Sequence, residues 1–195
     1  KMFERNFLAK KYNHIKFDYL GGEFQQENKD VALTTIGAFK KFYNIRINKK
    51  QIINGIRKTQ WQGRFQFISE NVLVDCAHNP DGIKVLKKEL AKYKNKISGF
   101  IFVIGIQKGK DIPNMLKKIN PLISKMIFTK SNNEKAAEPE DLLNIYKKSF
   151  PNSRIVKTFF VIENPKEALI YAKKIASRND LIVVAGSIYM VGEVI

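Results

Sequence analysis

Residues 73–82 read Leu-Val-Asp-Cys-Ala-His-Asn-Pro-Asp-Gly and close a run of apolar, β-branched residues. The order predicts a buried strand that ends at Asp75, then a short turn and a helix. Asparagine is a favoured helix cap and proline suits the first helical position, so Asn79 and Pro80 mark where the helix begins. Over residues 81–93 the apolar side chains keep helical spacing, at Ile83, Leu86, Leu90 and Tyr93. The stretch therefore predicts one strand–helix unit with polar side chains at the junction.

The same alternation continues to the end of the chain. Helical patterns over 111–119, 139–148 and 165–176 separate short apolar runs at 65–68, 71–75, 100–105, 125–129, 154–160 and 181–187. The first two runs are close enough to form a hairpin or a bent strand pair. Strands that are apolar on both faces and separated by amphipathic helices are typical of a parallel sheet covered on both sides. The expected fold is α/β, a Rossmann-like three-layer domain with a mostly parallel sheet.

The first 59 residues have a different pattern. Residues 26–43 and 48–58 predict two helices, the first with Val31, Thr35, Ala38 and Phe42 roughly along one side and the second ending near Gly55. Two helices without a sheet do not make a complete domain. We place a boundary in the polar segment 58–64, so that residues 1–59 are the end of one domain and residues 60–195 form the next.

Composition limits the classes of partner. The formal net charge is +17, but the lysines are spread along the chain between apolar helix positions, as on solvated helix faces. We therefore expect an anionic small ligand and no nucleic acid. One cysteine excludes an internal disulfide, and no run approaches the roughly 20 apolar residues of a membrane span. We expect a cytoplasmic monomer without membrane contact, and a fragment, because the chain begins at Lys1.

Three segments begin where a predicted strand stops: residues 75–82, 105–111 and 185–193. Ligands of parallel sheets bind at the carboxyl ends of the strands, so we interpret these segments as the loops of a ligand crevice. The middle one contains Lys108 and Lys110, which could meet an anion. It lacks the order of glycines and lysine that defines a P-loop, and so does the rest of the chain.

Residues at the first of these junctions allow more than one role. Asp75 could accept from a ribose hydroxyl or hold a cation, or it could stabilise the turn. His78 could bind an anion or be structural. Cys76 and His78 could form a nucleophilic pair, but no orienting third group is evident, which favours a small buried side chain at Cys76. Arg64, next to a glycine, suits phosphate or an ion pair between domains. His14 is expected in a surface strand.

Taken together, five stretches resemble the motifs of the folylpolyglutamate synthase / dihydrofolate synthase family of Mur-type ligases. They occur in the family's order and span nearly the whole chain: LGGEFQQEN (20–28), WQGRF (61–65), LVDCAHNPDG (73–82), GIQKGKD (105–111) and AGSIYMVGEV (185–194). Phe24, Gln62, Cys76 and Gly109 differ from the residues usual in those motifs.

The resemblance implies an ATP-dependent ligase that adds glutamate to folate, with a possible further role in dihydrofolate synthesis. In that family a carboxylate of the folate is phosphorylated by ATP and then attacked by the amine of L-glutamate. A P-loop domain upstream would hold Mg²⁺ and much of the folate, so that residues 1–59 would be its last helices. This chain alone would then be inactive, and it would contribute no metal ligand and no catalytic residue.

By motif position, Asn28 would contact the adenine of ATP, Arg64 its phosphates and Asp75 its ribose or nearby groups. His78 and Ser187 would help to bind the incoming glutamate. Two alternatives stay open: another Mur-type amino-acid ligase, such as a muramyl ligase, and a basic binding module without catalysis.

Overall fold

A computed structural model describes residues 7–151 and 158–195 and divides the chain into two compact units. The first ends at Trp61 and the second is Gln62–Ile195, so the division falls inside the polar segment 58–64. That residues 1–59 are the end of an ATPase domain stays a prediction. No helix within the described residues is long and apolar enough to cross a membrane.

From residue 7 onward, where the structure describes it, the first unit has three helices: α1 (Phe7–Tyr12), α2 (Gln25–Phe42) and α3 (Lys49–Arg57). Their small core contains Tyr12, Ile15, Leu33, Ile52 and Ile56.

The buried side of α2 is not the one that carries Val31 and Phe42, which are both exposed. Leu33 and Lys29 face inward instead, because the Lys29 ammonium group donates to the carbonyls of Asn13 and Ile15 at 2.9 and 2.8 Å. His14 is exposed as expected, but it lies in a turn and not in a strand.

The second unit is built on one six-stranded sheet, which confirms the α/β prediction. Its strands are β1 (Gln66–Ser69), β2 (Val72–Asp75), β3 (Gly99–Ile104), β4 (Ile123–Phe128), β5 (Thr158–Val161) and β6 (Asp180–Ala185). Their order is β1-β2-β6-β3-β4-β5, with β1 antiparallel to β2 and every other pair parallel. The predicted hairpin is therefore present. Of the strand predicted over 154–160, residues 154–157 lie outside the described residues.

In the described part of the second unit, five α-helices cover the sheet: α4 (Pro80–Ala91), α5 (Ile112–Ile119), α6 (Pro139–Ser149), α7 (Pro165–Ile175) and α8 (Ile188–Val194). Helix α5 contacts both α4 and α6, so these three form one layer, and α7 contacts α8 in another. The connections explain this separation. From β2 to β5 the chain crosses the sheet in one direction through α4, α5 and α6, and it returns from β5 to β6 through α7. Crossovers of this kind are right-handed, so those made in opposite directions place their helices on opposite faces of the sheet.

The prediction of a loop over residues 185–193 is wrong from Ile188 onward, where α8 begins. The Ser187 hydroxyl accepts from the Tyr189 N–H at 3.2 Å and so caps the helix, while Met190 and Val191 pack into the core against the sheet. Only the first residues of this segment form a loop at the sheet edge.

Candidate functional site

The carboxyl ends of β2, β6 and β3 lie side by side, so the three segments singled out in the sequence meet at one edge of the sheet. The helices that follow β2 and β3 belong to one layer and the helix that follows β6 to the other. A crevice outside the strands is expected where successive helices diverge in this way. The Gly186 N–H donates to the Ala77 carbonyl at 3.0 Å, which joins two of the segments directly.

The Gly63–Phe65 stretch reaches the same edge because its backbone is bonded to the end of β2. The Phe65 N–H donates to Asp75 Oδ2 at 2.9 Å, and the Cys76 N–H donates to the Gly63 carbonyl at 2.7 Å. Asp75 Oδ1 accepts from the Ala77 N–H at 2.8 Å. The buried carboxylate of Asp75 therefore joins the end of β2 to the backbone of Phe65, ten residues earlier in the chain. We call residues 63–65 the arginine loop.

Arg64 is half-buried and lies between two residues with left-handed backbone. Gly63 has φ +70° and Phe65 has φ +43°. For phenylalanine such a conformation costs about 1–2 kcal/mol. Burial of the Phe65 ring, with Phe67 and Tyr93 at centroid distances of 6.3 Å, offsets that cost. The backbone around Arg64 is thus held in one conformation by its neighbours.

Asp75 is 5% exposed, and both of its carboxylate oxygens accept backbone hydrogen bonds. Burial raises the pKa of Asp75 above the usual aspartate value, while the two N–H donors and the Arg64 guanidinium act in the opposite direction. The turn-stabilising role left open by the sequence is present here. A ribose contact stays a prediction.

The raised pKa of Asp75 has a consequence for stability. The folded protein holds this proton more tightly than the unfolded chain, so its contribution is fully present below about pH 4 and is lost as pH rises through the folded-state pKa. We expect the protein to lose stability over that range relative to Asp75→Asn, measured by urea unfolding at several pH values. A carboxyl NMR titration that places the pKa of Asp75 at or below the ordinary aspartate value would refute this expectation.

Cys76 is buried, as the sequence favoured. Burial raises the pKa of its thiol, with Arg64 opposing and Asp75 adding to the shift, so the thiolate that a nucleophile needs is disfavoured. Its sulfur lies 2.6 Å from the position that a Cβ on Gly63 would occupy. Cys76 therefore packs directly beneath the arginine loop.

His78 is half-buried, and its Nδ1 lies 3.0 Å from the Cys76 carbonyl. A carbonyl can only accept, so Nδ1 donates in this contact, and the tautomer without a proton on Nε2 leaves that nitrogen as an acceptor. The next residue caps α4 as predicted: Asn79 Oδ1 accepts from the Gly82 N–H at 2.7 Å, and Pro80 is the first helical residue. The imidazole and the start of α4 therefore lie next to Asp75 at this edge.

The other predicted residues have simpler surroundings. Ser187 is buried as the cap of α8, directly after the glycine that bonds to Ala77. Lys108 and Lys110 are exposed on the segment after β3. Asn28 belongs to the first unit, where it is exposed on α2 and donates to Gln25 Oε1 at 2.7 Å.

A cavity of about 940 Å³ opens near the carboxyl ends of β4 and β5, and the sequence did not suggest it. Lys130 bonds to Glu138 at 2.8 Å and to Glu163 at 2.7 Å, and these bonds raise the pKa of the lysine. The glutamates of the lining outnumber its lysines by five to two: Glu134, Glu138, Glu163, Glu167 and Glu193 against Lys130 and Lys166. These charges favour a cationic group, although the chain as a whole is basic.

Metal binding was expected to lie outside this chain. Among the described residues, no group of three or more histidine, cysteine, aspartate or glutamate side chains is arranged to hold an ion.

A model of the Mur ligase glutamate ligase domain matches residues 63–188, and the chain belongs to that family. Among curated relatives, the dihydrofolate synthase/folylpolyglutamate synthase of Haemophilus influenzae is 24% identical over 91% of this chain and 47% of its own length. A UDP-N-acetylmuramoyl-L-alanyl-D-glutamate–2,6-diaminopimelate ligase of Clostridium perfringens is 29% identical over 78% of this chain and 32% of its own. The chain thus spans about half or less of the length of these relatives.

Solved structures agree with this assignment. The folylpolyglutamate synthase of Thermotoga maritima is 30% identical, with a TM-score of 0.69 over 90% of this chain and 38% of that one. E. coli FolC in complex with DHPP and ADP is 25% identical, with a TM-score of 0.72 over 86% of this chain and 37% of that one. The family resemblance found in the five motifs is confirmed, and so is the Mur ligase type of the C-terminal fold.

Proposed function

We propose that this chain is the C-terminal part of an ATP-dependent ligase that joins L-glutamate to folate through an acyl phosphate. The observation that carries the proposal is the arginine loop, fixed by Asp75 beside His78 and the start of α4. The relatives named for folylpolyglutamate and dihydrofolate synthesis support the choice of substrate.

In the proposed reaction ATP transfers its terminal phosphoryl group to the folate carboxylate and ADP leaves. The glutamate amine then attacks the acyl carbon, and phosphate leaves with one of the former carboxylate oxygens. Catalysis of this kind depends on positioning and on neutralising charge. Arg64 contributes a planar, permanently charged donor to the ATP phosphates. Asp75 is proposed, by motif position, to act at the ribose or nearby groups. ATP and Mg²⁺ are the proposed cofactors, with the metal held by upstream residues.

The roles of three residues rest on motif position together with local geometry. Asn28 is proposed to contact adenine. His78 is proposed to orient the glutamate, because its Nδ1 is engaged with the Cys76 carbonyl and an unprotonated Nε2 can accept from an ammonium group. Ser187 is proposed to help bind the same glutamate, because it is the N-cap of α8 and lies where that helix begins.

Replacing His78 with alanine is expected to raise the KM for glutamate more than the KM for ATP. The change removes an acceptor from the amine and leaves the arginine loop in place. Steady-state ADP release by the complete polypeptide measures both constants, and His14→Ala, a change at an exposed histidine of the first unit, is the matched control. A larger rise in the KM for ATP would defeat this role.

A second candidate is a Mur-type ligase that adds a diamino acid. The acidic cavity after β4 and β5 suits an additional ammonium group, and the diaminopimelate ligase relative is consistent with it. ADP release by the complete polypeptide distinguishes the two candidates. We expect turnover with folate and L-glutamate, whereas turnover with 2,6-diaminopimelate and a muramyl peptide alone would replace the folate proposal. The absence of a P-loop upstream would exclude both and favour a non-catalytic binding module.

A further inference from the structure

We propose that the amino ends of the parallel strands carry a surface that binds the phosphate backbone of a double-stranded nucleic acid. The inference rests on the placement of charge in the second unit and is independent of the proposed ligase reaction. Arg64, Asp75 and His78 lie at the carboxyl ends of the strands, so this surface is at the opposite end of the sheet from the candidate site.

The fold gathers lysines that are spread along the sequence. Each of α4, α5, α6 and α7 connects two parallel strands, so it begins at the carboxyl ends of the strands and ends at their amino ends. Basic side chains occupy the last turns of these helices and the segments that follow them. We call this set the lysine rim: Lys88, Lys92, Lys94, Lys96, Lys117, Lys118, Lys147, Lys148, Lys173, Lys174 and Arg178. The expectation of no nucleic-acid partner rested on separate solvated faces, whereas the fold makes them one basic edge.

Little exposed negative charge balances the lysine rim within the described residues. Glu89 is buried and bonded to Lys92 at 2.7 Å. Asp180 is buried too, with the Lys125 ammonium group 3.5 Å away. Glu70, in the turn between β1 and β2, is the exposed carboxylate at this edge. Exposed carboxylates collect instead at the carboxyl ends of the strands, where the helices begin: Asp81, Asp111, Glu134, Glu138, Glu140, Asp141, Glu163 and Glu167.

The helix dipole explains only part of this arrangement. A cation in the last turn is stabilised by the partial negative charge of the helix end, which accounts for the sign of side chains such as Lys117 and Lys148. Lys94, Lys96 and Arg178 lie beyond the helices, in the segments that lead into β3 and β6. Many like charges at one edge repel one another and oppose the compact state. A bound polyanion relieves that repulsion.

The chemistry of the lysine rim favours the phosphates of a duplex over other polyanions. Lysine is a flexible point charge, and contacts to phosphates carry no sequence information. Single strands are held by base stacking on aromatic side chains, and membrane surfaces are bound with the help of apolar side chains that enter the bilayer. No large apolar side chain is exposed in segments 88–98, 117–122, 147–151 and 173–179, all of them described. Contact with a duplex backbone needs none.

Fluorescence anisotropy of a labelled DNA duplex with the complete polypeptide tests the proposal at several salt concentrations. We expect log K to fall linearly with log [salt], with a slope of roughly 0.9 for each phosphate contact. The triple variant Lys96→Gln, Lys117→Gln and Lys174→Gln should weaken binding at least about tenfold at low salt and should reduce the slope by about two to three. No measurable binding of the duplex by the wild type at low salt would overturn the proposal.

A second triple variant is the matched control, since it removes the same charge from exposed lysines near the carboxyl ends of the strands. Lys84→Gln, Lys135→Gln and Lys166→Gln together should lower the affinity for the duplex less than about twofold. Urea unfolding should show both variants to be folded, because every changed side chain is exposed. Equal losses of affinity in the two variants would show that net charge alone attracts the duplex, and the lysine rim would not be a binding surface.

Vesicles of equimolar phosphatidylserine and phosphatidylcholine distinguish a nucleic acid from a membrane surface. We expect the wild type to bind the duplex more tightly than these vesicles at equal salt, because the lysine rim has no apolar side chain to insert. Tighter binding to the vesicles, lost in the variant of Lys96, Lys117 and Lys174, would replace the nucleic acid with a membrane surface and contradict the proposal.

Discussion

Replacing Arg64 with alanine is expected to lower folate- and glutamate-dependent ADP release by the complete polypeptide about 10²–10³-fold, the effect of removing one donor from developing charge. Arg64 is half-buried on a loop whose Gly63 N–H donates to Gln66 Oε1 and whose Phe65 N–H donates to Asp75 Oδ2. The protein therefore does not have to order this side chain from a flexible segment when ATP binds. Loss of the group removes a positive charge from this loop.

Two controls sharpen the Arg64 experiment. Arg64→Lys keeps the charge but loses the planar fork, so its activity should fall between those of the wild type and the alanine variant. Arg178→Ala removes an exposed arginine just before β6, at the amino end of that strand and so at the opposite end from the site, and should leave turnover unchanged. Near-normal turnover of Arg64→Ala would disprove the phosphate role.

Replacing Gly63 with alanine is expected to destabilise the second unit by about 3–4 kcal/mol. The backbone at φ +70° disfavours any side chain, and a Cβ there would lie 2.6 Å from the Cys76 sulfur and 3.1 Å from Val191 Cγ1. Urea unfolding, followed by hydrogen exchange of amides in β2 and β6, measures the loss.

Gly109→Ala is the matched control for the packing part of that effect. Gly109 has φ +77°, but nothing lies within 4 Å of the position of its Cβ, so the change should cost only about 1 kcal/mol. Adding Cys76→Ala to Gly63→Ala should recover part of the loss, because it removes the sulfur from the overlap. Equal losses for the two glycine variants would show that the contact with Cys76 is unimportant.

Local signals in the sequence were sufficient for most of the second unit. Apolar runs and helical periodicity located the strands and the order of the helices, and Asn79-Pro80 marked a helix start that the structure confirms. The helix after Ser187 was missed because it is short, and because its start has only a serine cap and no proline.

The contacts within the site depend on tertiary structure, which local patterns do not report. Asp75 and Phe65 are ten residues apart, and only the antiparallel pairing of β1 with β2 brings them together. The buried side of α2 was misjudged for a similar reason. Lys29 faces inward because its ammonium group donates hydrogen bonds to the carbonyls of Asn13 and Ile15, and a pattern of apolar residues cannot show such bonds. The acidic cavity likewise combines residues that follow different strands.

The central claim is that this chain belongs to a ligase that activates a carboxylate by phosphorylation. The most direct test gives the complete polypeptide ATP, L-glutamate and a folate whose terminal carboxylate carries isotopically labelled oxygen, and then analyses the released phosphate by mass spectrometry. The account predicts that each phosphate contains one labelled oxygen, transferred when the amine displaces it from the acyl carbon. Amide product accompanied by unlabelled phosphate would contradict it.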